Sequence, residues 1–255
     1  MGRPPTFCAT SASSTSTWER AMLEVRDLEI RYGPFLAVDK VSLEVRQGEI
    51  VGVIGPNGAG KSSVVRAITG LVRPTSGSVS FLGQSTLEVP VHDLIRQGLS
   101  LVPEGRGLFP MMSVEENLLM GGYSLTDRTR RDELMASCYE LFPILKERRD
   151  QLAGTLSGGQ QQMVAVSVGL MGDPTLCIFD EPSLGLAPIV IQQIGETLQK
   201  MRALKLTVLL IEQNAMLASS VADRIYIMSA GRIQFHDTPD RLMQNPEVIE
   251  KFLSA

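Results

Sequence analysis

The sequence predicts an α/β fold organised around a phosphate-binding loop, on three observations. A β-branched run, Val51-Gly52-Val53-Ile54, leads straight into Gly55-Pro56-Asn57-Gly58-Ala59-Gly60-Lys61-Ser62-Ser63, where Gly55, Gly60, Lys61 and Ser62 satisfy G-x-x-x-x-G-K-[ST]. Two later runs, Leu176 to Phe179 and Thr207 to Ile211, are continuously apolar, as strands of a parallel sheet covered on both faces are. Ahead of the loop, apolar residues alternate with polar ones, the mark of half-buried antiparallel strands.

Taken in order, residues 1 to 20 (MGRPPTFCATSASSTSTWER) are rich in Ser and Thr, have no period, and cannot bury enough surface to order themselves. They lack the apolar segment of a secretory signal. Met22 stands just before the first periodic stretch. Residues 1–21 are therefore expected to be a disordered extension or tag, and 22–255 the folded domain.

Leu23, Val25, Leu28 and Ile30 alternate up to the Tyr32-Gly33-Pro34 turn, and Val41, Leu43 and Val45 alternate up to Gln47-Gly48. Tyr32 has the aromatic face needed to stack on an adenine; a half-buried strand aromatic is the alternative. After the loop, Val64, Val65, Ile68 and Leu71 recur at helical spacing and predict a helix from Ser62 to Leu71. The glycines let successive N–H groups turn inward on phosphate oxygens, the helix adds its free N–H groups, and Lys61 adds a point charge for the β- and γ-phosphates. The Ser62 hydroxyl suits Mg²⁺. These features point to a nucleoside triphosphate.

Pro74 to Gly77 is a turn, Val79 to Leu82 a strand, and Ile95 to Val102 passes from helix to strand before Pro103-Glu104-Gly105-Arg106. Ser113 to Leu152 is mostly helical, its mixed charge runs reading as solvated helix ends. Leu156-Ser157-Gly158-Gly159-Gln160 opens another helix; alone, it is either an N-cap or a phosphate-favouring start. Asp180 and Glu181 end an apolar strand run, and ligands sit beyond the carboxyl ends of such strands. Asp180 is thus placed to reach Mg²⁺ and Glu181 a water beside the γ-phosphate. A tight connection at Ser183 to Pro188, a helix from Ile189 to Ala203, the strand ending at Glu212-Gln213-Asn214, and a hairpin from Asp223 to Phe235 follow. Residues 239 to 253 suggest one amphipathic helix, with Leu242, Met243, Ile249 and Phe252 on its apolar side.

At 255 residues the chain suffices for one large or two small domains. A net charge of −4 gives no reason to expect nucleic-acid binding. No apolar run approaches the ~20 residues of a membrane-spanning helix. The three cysteines are scattered and odd in number, which argues against a disulfide framework or zinc site and fits a reducing compartment.

The order of the motifs, phosphate loop, LSGGQ, apolar run with Asp-Glu, and a late strand-end polar residue, resembles the nucleotide-binding subunit of an ABC transporter over about residues 23 to 240. That resemblance implies a P-loop NTPase fold with an N-terminal antiparallel β subdomain and a helical subdomain inserted at about 106–156. Tyr32 then corresponds to the adenine-stacking aromatic, Gly55 to Ser63 to Walker A, Asp180 to Walker B, and Glu181 to the catalytic carboxylate. Ser157, Gly158 and Gly159 match the signature that contacts ATP on the opposite protomer, so that two subunits sandwich two ATP molecules. Ser183 to Leu186 would sense the other protomer.

Two positions depart from the general pattern. Glu104 replaces the usual hinge glutamine and brings a third carboxylate toward the metal. Gln213 replaces the usual switch histidine; glutamine can orient a water but cannot hold a proton. With Ser183 to Pro188 and Ile211 to Asn214, they make the chain similar to an ATPase subunit of branched-chain amino-acid importers. The implied partners are a second ABC ATPase subunit (a different one, or a second copy), membrane permease subunits and, indirectly, an extracytoplasmic solute-binding protein. The implied location is the cytoplasmic face of the plasma membrane. Urea or amide importers look much alike, and exporters are a further alternative. A regulatory module that hardly hydrolyses ATP is motivated by Gln213. A soluble ABC ATPase of DNA maintenance or translation is disfavoured by the single cassette, the missing heptads and the acidic balance.

Overall fold

A computed structural model describes residues 21–250. β1 (Ala21–Tyr32) and β2 (Phe35–Arg46) pair antiparallel, with Leu23 opposite Val45 and Tyr32 opposite Phe35. β3 (Ile50–Ile54) leaves this layer for the central sheet, while β4 (Ser76–Phe81) returns to the free side of β1 and carries β5 (Gln84–Ser85) at its edge. The antiparallel subdomain expected before and after the loop is therefore one four-stranded sheet. β1 opens at Ala21, one residue inside the stretch expected to be disordered; residues 1–20 lie outside the described ones.

The central sheet adds β6 (Leu99–Val102), β7 (Leu176–Asp180), β8 (Thr207–Glu212), β9 (Arg224–Ser229) and β10 (Arg232–Asp237), in the order β10-β9-β3-β8-β7-β6. All pairs are parallel except the edge hairpin β9–β10. Alternate residues of the continuously apolar strands feed two separate cores. Val51, Val53, Ile178, Leu209 and Ile211 pack toward the antiparallel sheet, whereas Ile50, Phe179, Val208 and Leu210 pack toward the helices on the other face.

Helix α1 (Lys61–Ile68) follows the loop, and α2 (Val91–Arg96) precedes β6. The helical insert is α3 (Val114–Gly121), α4 (Arg128–Leu141) and α5 (Pro143–Glu147), followed by α6 (Gly158–Met171). α7 (Pro188–Ala203) and α8 (Ala215–Val221) cover the sheet's second face. Two expectations need correction. The loop helix ends at Ile68, not Leu71: Gly70 takes φ +73°, and its N–H and that of Leu71 bond back to Ala67 (3.1 Å) and Arg66 (2.8 Å) in a Schellman stop that leaves Leu71 62% exposed. The tail is two short helices, α9 (Pro239–Leu242) and α10 (Pro246–Val248), because Pro246 cannot continue a helix through its missing N–H; Phe252 lies outside the described residues.

Candidate functional site

β3 is buried along its length and delivers Gly55 to the carboxyl end of the sheet. A Cβ there would lie 2.1 Å from the Met228 carbonyl oxygen; one at Gly60, whose φ is +103°, would lie 2.5 Å from that of Ala37. Neither position accepts a side chain. The Ala59 N–H donates to Pro56 O (3.1 Å), and Gly231 N–H donates to Ala59 O (3.0 Å), which ties the loop to the β9–β10 turn. Pro56, Asn57 and Gly58 form an exposed crest. α1 starts at Lys61 without a side-chain cap, so its first-turn N–H groups are available to an oxyanion.

Lys61 folds back into this loop, 3% exposed, donating from Nζ to Gly55 O (2.7 Å) and Pro56 O (3.2 Å) and pairing with Glu181 Oε1 (3.0 Å). Glu181 follows β7 directly and holds a left-handed φ of +50°, with its N–H on Ile211 O (2.9 Å). Such a conformation costs a non-glycine residue ~1–3 kcal/mol and marks a place where geometry outranks local stability.

Asp180 ends β7, buried, and its Oδ1 has no hydrogen-bond partner. Burial, then the carboxylates of Glu181 and Glu104, push its carboxyl up to about 6, against the pull of Lys61 and Arg66. An orphaned, buried carboxylate oxygen in a cluster of like charges fits a divalent cation, and Ser62, half-buried in the first turn of α1, is the hydroxyl the loop motif offers with it. Among the described residues no cluster of three or more His, Cys, Asp or Glu could cage a metal. That suits Mg²⁺, which takes one or two protein ligands and completes its shell with phosphate and water.

Tyr32 stands at the loop's outer side, its hydroxyl donating to Ser63 Oγ (3.4 Å) and its ring 42% exposed. Glu104 is exposed beyond β6, just before three successive left-handed residues, Gly105, Arg106 and Gly107. Gln213 is exposed beyond β8. Lys61, Asp180, Glu181 and, through its charge, Glu104 therefore converge on one end of the sheet. Ser157, Gly158 and Gly159 do not join them. Ser157 caps α6 in a capping box with Gln160, and Gly159 abuts Val190 of α7. Among the described residues no hydrogen bond or ion pair links them to the phosphate loop.

Two residues escaped the sequence analysis. Arg106 places Nη1 2.5 Å from Gln161 Oε1, joining the Glu104 loop to α6. Glu212, 1% exposed, accepts bonds from both Ser183 and the residues after β8. A carboxylate closing an apolar strand, the pattern used to find Asp180, was its available signal.

Comparison with known proteins places this geometry in context. The family model described as ABC transporter matches residues 38–184. The chain is 46% identical to the high-affinity branched-chain amino acid transport ATP-binding protein BraG of Pseudomonas aeruginosa, across 92% of this chain and 100% of BraG. It is 33% identical to the probable branched-chain amino acid transport ATP-binding protein LivF of Archaeoglobus fulgidus, across 91% and 96% of the two chains. The fold is similar to the crystal structure of the ADP conformation of MJ1267, an ATP-binding cassette of an ABC transporter, with a TM-score of 0.78 and 27% identity, covering 92% of this chain and 100% of that one.

Proposed function

The chain belongs to the ABC transporter ATP-binding family, and from that premise we propose that it is the ATP-hydrolysing subunit of an importer of branched-chain amino acids. The observation that carries the proposal is an end-to-end match to BraG combined with a buried Lys61–Glu181–Asp180 cluster at the mouth of the phosphate loop.

The loop and the first turn of α1 bind the phosphates through backbone N–H groups, and Lys61 leaves Glu181 to neutralise the β- and γ-oxygens. Glu181, freed from Lys61, polarises the attacking water. Ser62 and Asp180 would hold Mg²⁺, which supplies charge neutralisation at the phosphates when bound. Tyr32 stacks on the adenine, Glu104 reads the metal-side charge, and Gln213 orients the water. Ser157, Gly158 and Gly159 lie apart from the loop, which supports a site completed by a second subunit, whether a different ATPase or a second copy.

No helix among the described residues is long and apolar enough to cross a membrane. In this reading, membrane association runs through permease subunits at the cytoplasmic face, fed by an extracytoplasmic solute-binding protein. A groove of about 280 Å³ between the sheet and the helical insert, with exposed Leu71, Ile95, Met120 and Tyr123 on its rim, offers them an apolar seat.

The test is purification of the tagged subunit from native membranes with its co-eluting proteins, followed by reconstitution. The expected result is a permease pair, a second ATPase position, and ATP hydrolysis stimulated by a binding protein loaded with leucine or valine. Stimulation by urea or an amide instead, or recovery of the subunit without membrane proteins, would overturn the assignment.

A further inference from the structure

We propose that Glu212 is the positioning residue that locks Glu181 and the Ser183–Leu186 loop into register with Gln213. The inference rests on the ATPase assignment above. Glu212 is 1% exposed, and no Lys, Arg or His forms an ion pair with it among the described residues. A buried carboxylate without a counter-cation persists only where hydrogen-bond donors replace its water shell. Glu212 has four. Its Oε1 accepts from Ser183 N–H (3.0 Å), and its Oε2 accepts from Ser183 Oγ (2.9 Å), Gln213 N–H (3.0 Å) and Asn214 N–H (3.1 Å). One side chain therefore ties the connection after β7 to the turn after β8.

What that tie restrains is Glu181. Its left-handed backbone is held on one side by its own N–H on Ile211 O (2.9 Å), the residue before Glu212, and on the other by Ser183, two residues on. Leu184 N–H closes the turn on Glu181 O (3.1 Å). Strained backbone of this kind survives where neighbours over-determine it, and the last two residues of β8 supply that restraint. Any displacement of the Ser183–Leu186 loop by a partner subunit is passed through the Glu212 carboxylate to Gln213 and back to the carboxylate that addresses the water.

The variant Glu212→Gln isolates this role. With its amide oxygen at the Oε2 position it keeps three of the four bonds, and its NH₂ then faces the Ser183 N–H, donor against donor. In the assembled transporter, Glu212→Gln is expected to lower the thermal midpoint modestly through the opposed donors, while leaving the affinity for a fluorescent ATP analogue close to that of the parent. The kcat for ATP is expected to fall roughly 10- to 100-fold. In a Glu181→Gln background the same change is expected to cost no further factor in single-turnover hydrolysis, since residues acting as one unit are non-additive. If Glu212→Gln proves unstable, Ser183→Ala, which removes only the hydroxyl tie, is expected to lower kcat without raising KM. An unchanged kcat, or an equal loss in both backgrounds, overturns the inference. A parent transporter that hydrolyses no ATP overturns the ATPase assignment and the inference with it.

Discussion

Lys61 and Glu181 neutralise each other inside the phosphate loop, Nζ 3.0 Å from Oε1, with side chains 3% and 7% exposed. In the proposed roles, the cation for phosphate and the carboxylate for water are thus held by one another, and nucleotide binding is expected to exchange one anion on Lys61 for another and release Glu181 in the same step. Glu181→Gln removes the competing anion but leaves an amide oxygen to accept from Lys61. Nucleotide affinity, read by equilibrium titration, should hold or tighten a few-fold, while turnover should fall by about 10²–10⁴. Full activity in this variant would sink the role given to Glu181.

Asp180 carries a pH dependence of stability with a definite sign. Its folded-state value of about 6 lies above the ordinary carboxyl value, so the folded chain binds this proton more tightly than the unfolded one. The group imposes no penalty below the unfolded value near 4, and stability declines as pH rises from there to about 6. Asp180→Asn removes that penalty. The nucleotide-free variant should be more stable than the parent at neutral pH by on the order of 2 kcal/mol, with the difference vanishing below about pH 4. Thermal melts across this range check it. If Asp180 holds the metal as proposed, the Mg²⁺ needed for half-maximal hydrolysis by the parent should rise as pH drops through about 6, because its carboxyl must first lose its proton.

Gly158 and Gly159 should separate function from folding. A Cβ at Gly159 would sit 2.6 and 2.8 Å from the two methyl carbons of Val190, a stiff β-branched neighbour on α7. Gly159→Ala is therefore expected to destabilise by about 1–3 kcal/mol through overpacking. At Gly158 the nearest atom is Arg106 Nη2 at 3.3 Å, the movable end of a long side chain. Gly158→Ala should melt within about 0.5 kcal/mol of the parent yet lose ATPase activity in the assembled transporter if, as proposed, its backbone approaches the other subunit's nucleotide there. Equal melting losses for the two variants would contradict this division.

Hydrophobic period made the sheet legible, because strands buried on both faces have little freedom in composition. The runs at 50–54, 176–180 and 207–212 are each buried throughout. Period alone misplaced the end of α1. Leu71 continues the helical spacing of Val64 and Ile68, but Gly70 stops the helix by taking a conformation that spacing does not report. Glu212 stayed hidden for a different reason. Its partner Ser183 lies 29 positions away, and only the parallel pairing of β7 with β8 brings the two together. Asp180 and Glu181 are legible because they close an apolar strand run, and Lys61 because it closes the glycine-rich loop motif that follows one. That Lys61 and Glu181 would pair directly is a fact of packing, with no counterpart in local sequence.

Asn117 offers a test of how the insert presents apolar groups. It is 1% exposed on α3, and its side chain imitates a backbone strand. Oδ1 accepts from Phe109 N–H (2.9 Å), while Nδ2 donates to the carbonyls of Phe109 (3.0 Å), Met112 (3.3 Å) and Ser113 (2.8 Å). The segment so clamped leaves Phe109 50% and Met111 79% exposed, costly positions that a docking membrane subunit would cover. Asn117→Ala takes the acceptor from the Phe109 N–H and a donor from the carbonyls of Phe109, Met112 and Ser113, and is expected to cost about 1–3 kcal/mol. Asn117→Asp keeps the shape and the bond to Phe109 N–H, but points a carboxylate oxygen at three carbonyl oxygens. It should therefore be less stable than the alanine variant at neutral pH, although it is the smaller change in volume. Melting curves of both establish the order, and co-purification of the Ala variant with the permease should weaken in step. An aspartate variant as stable as the parent would mean that the three donated bonds contribute nothing to holding Phe109 and Met111 outward.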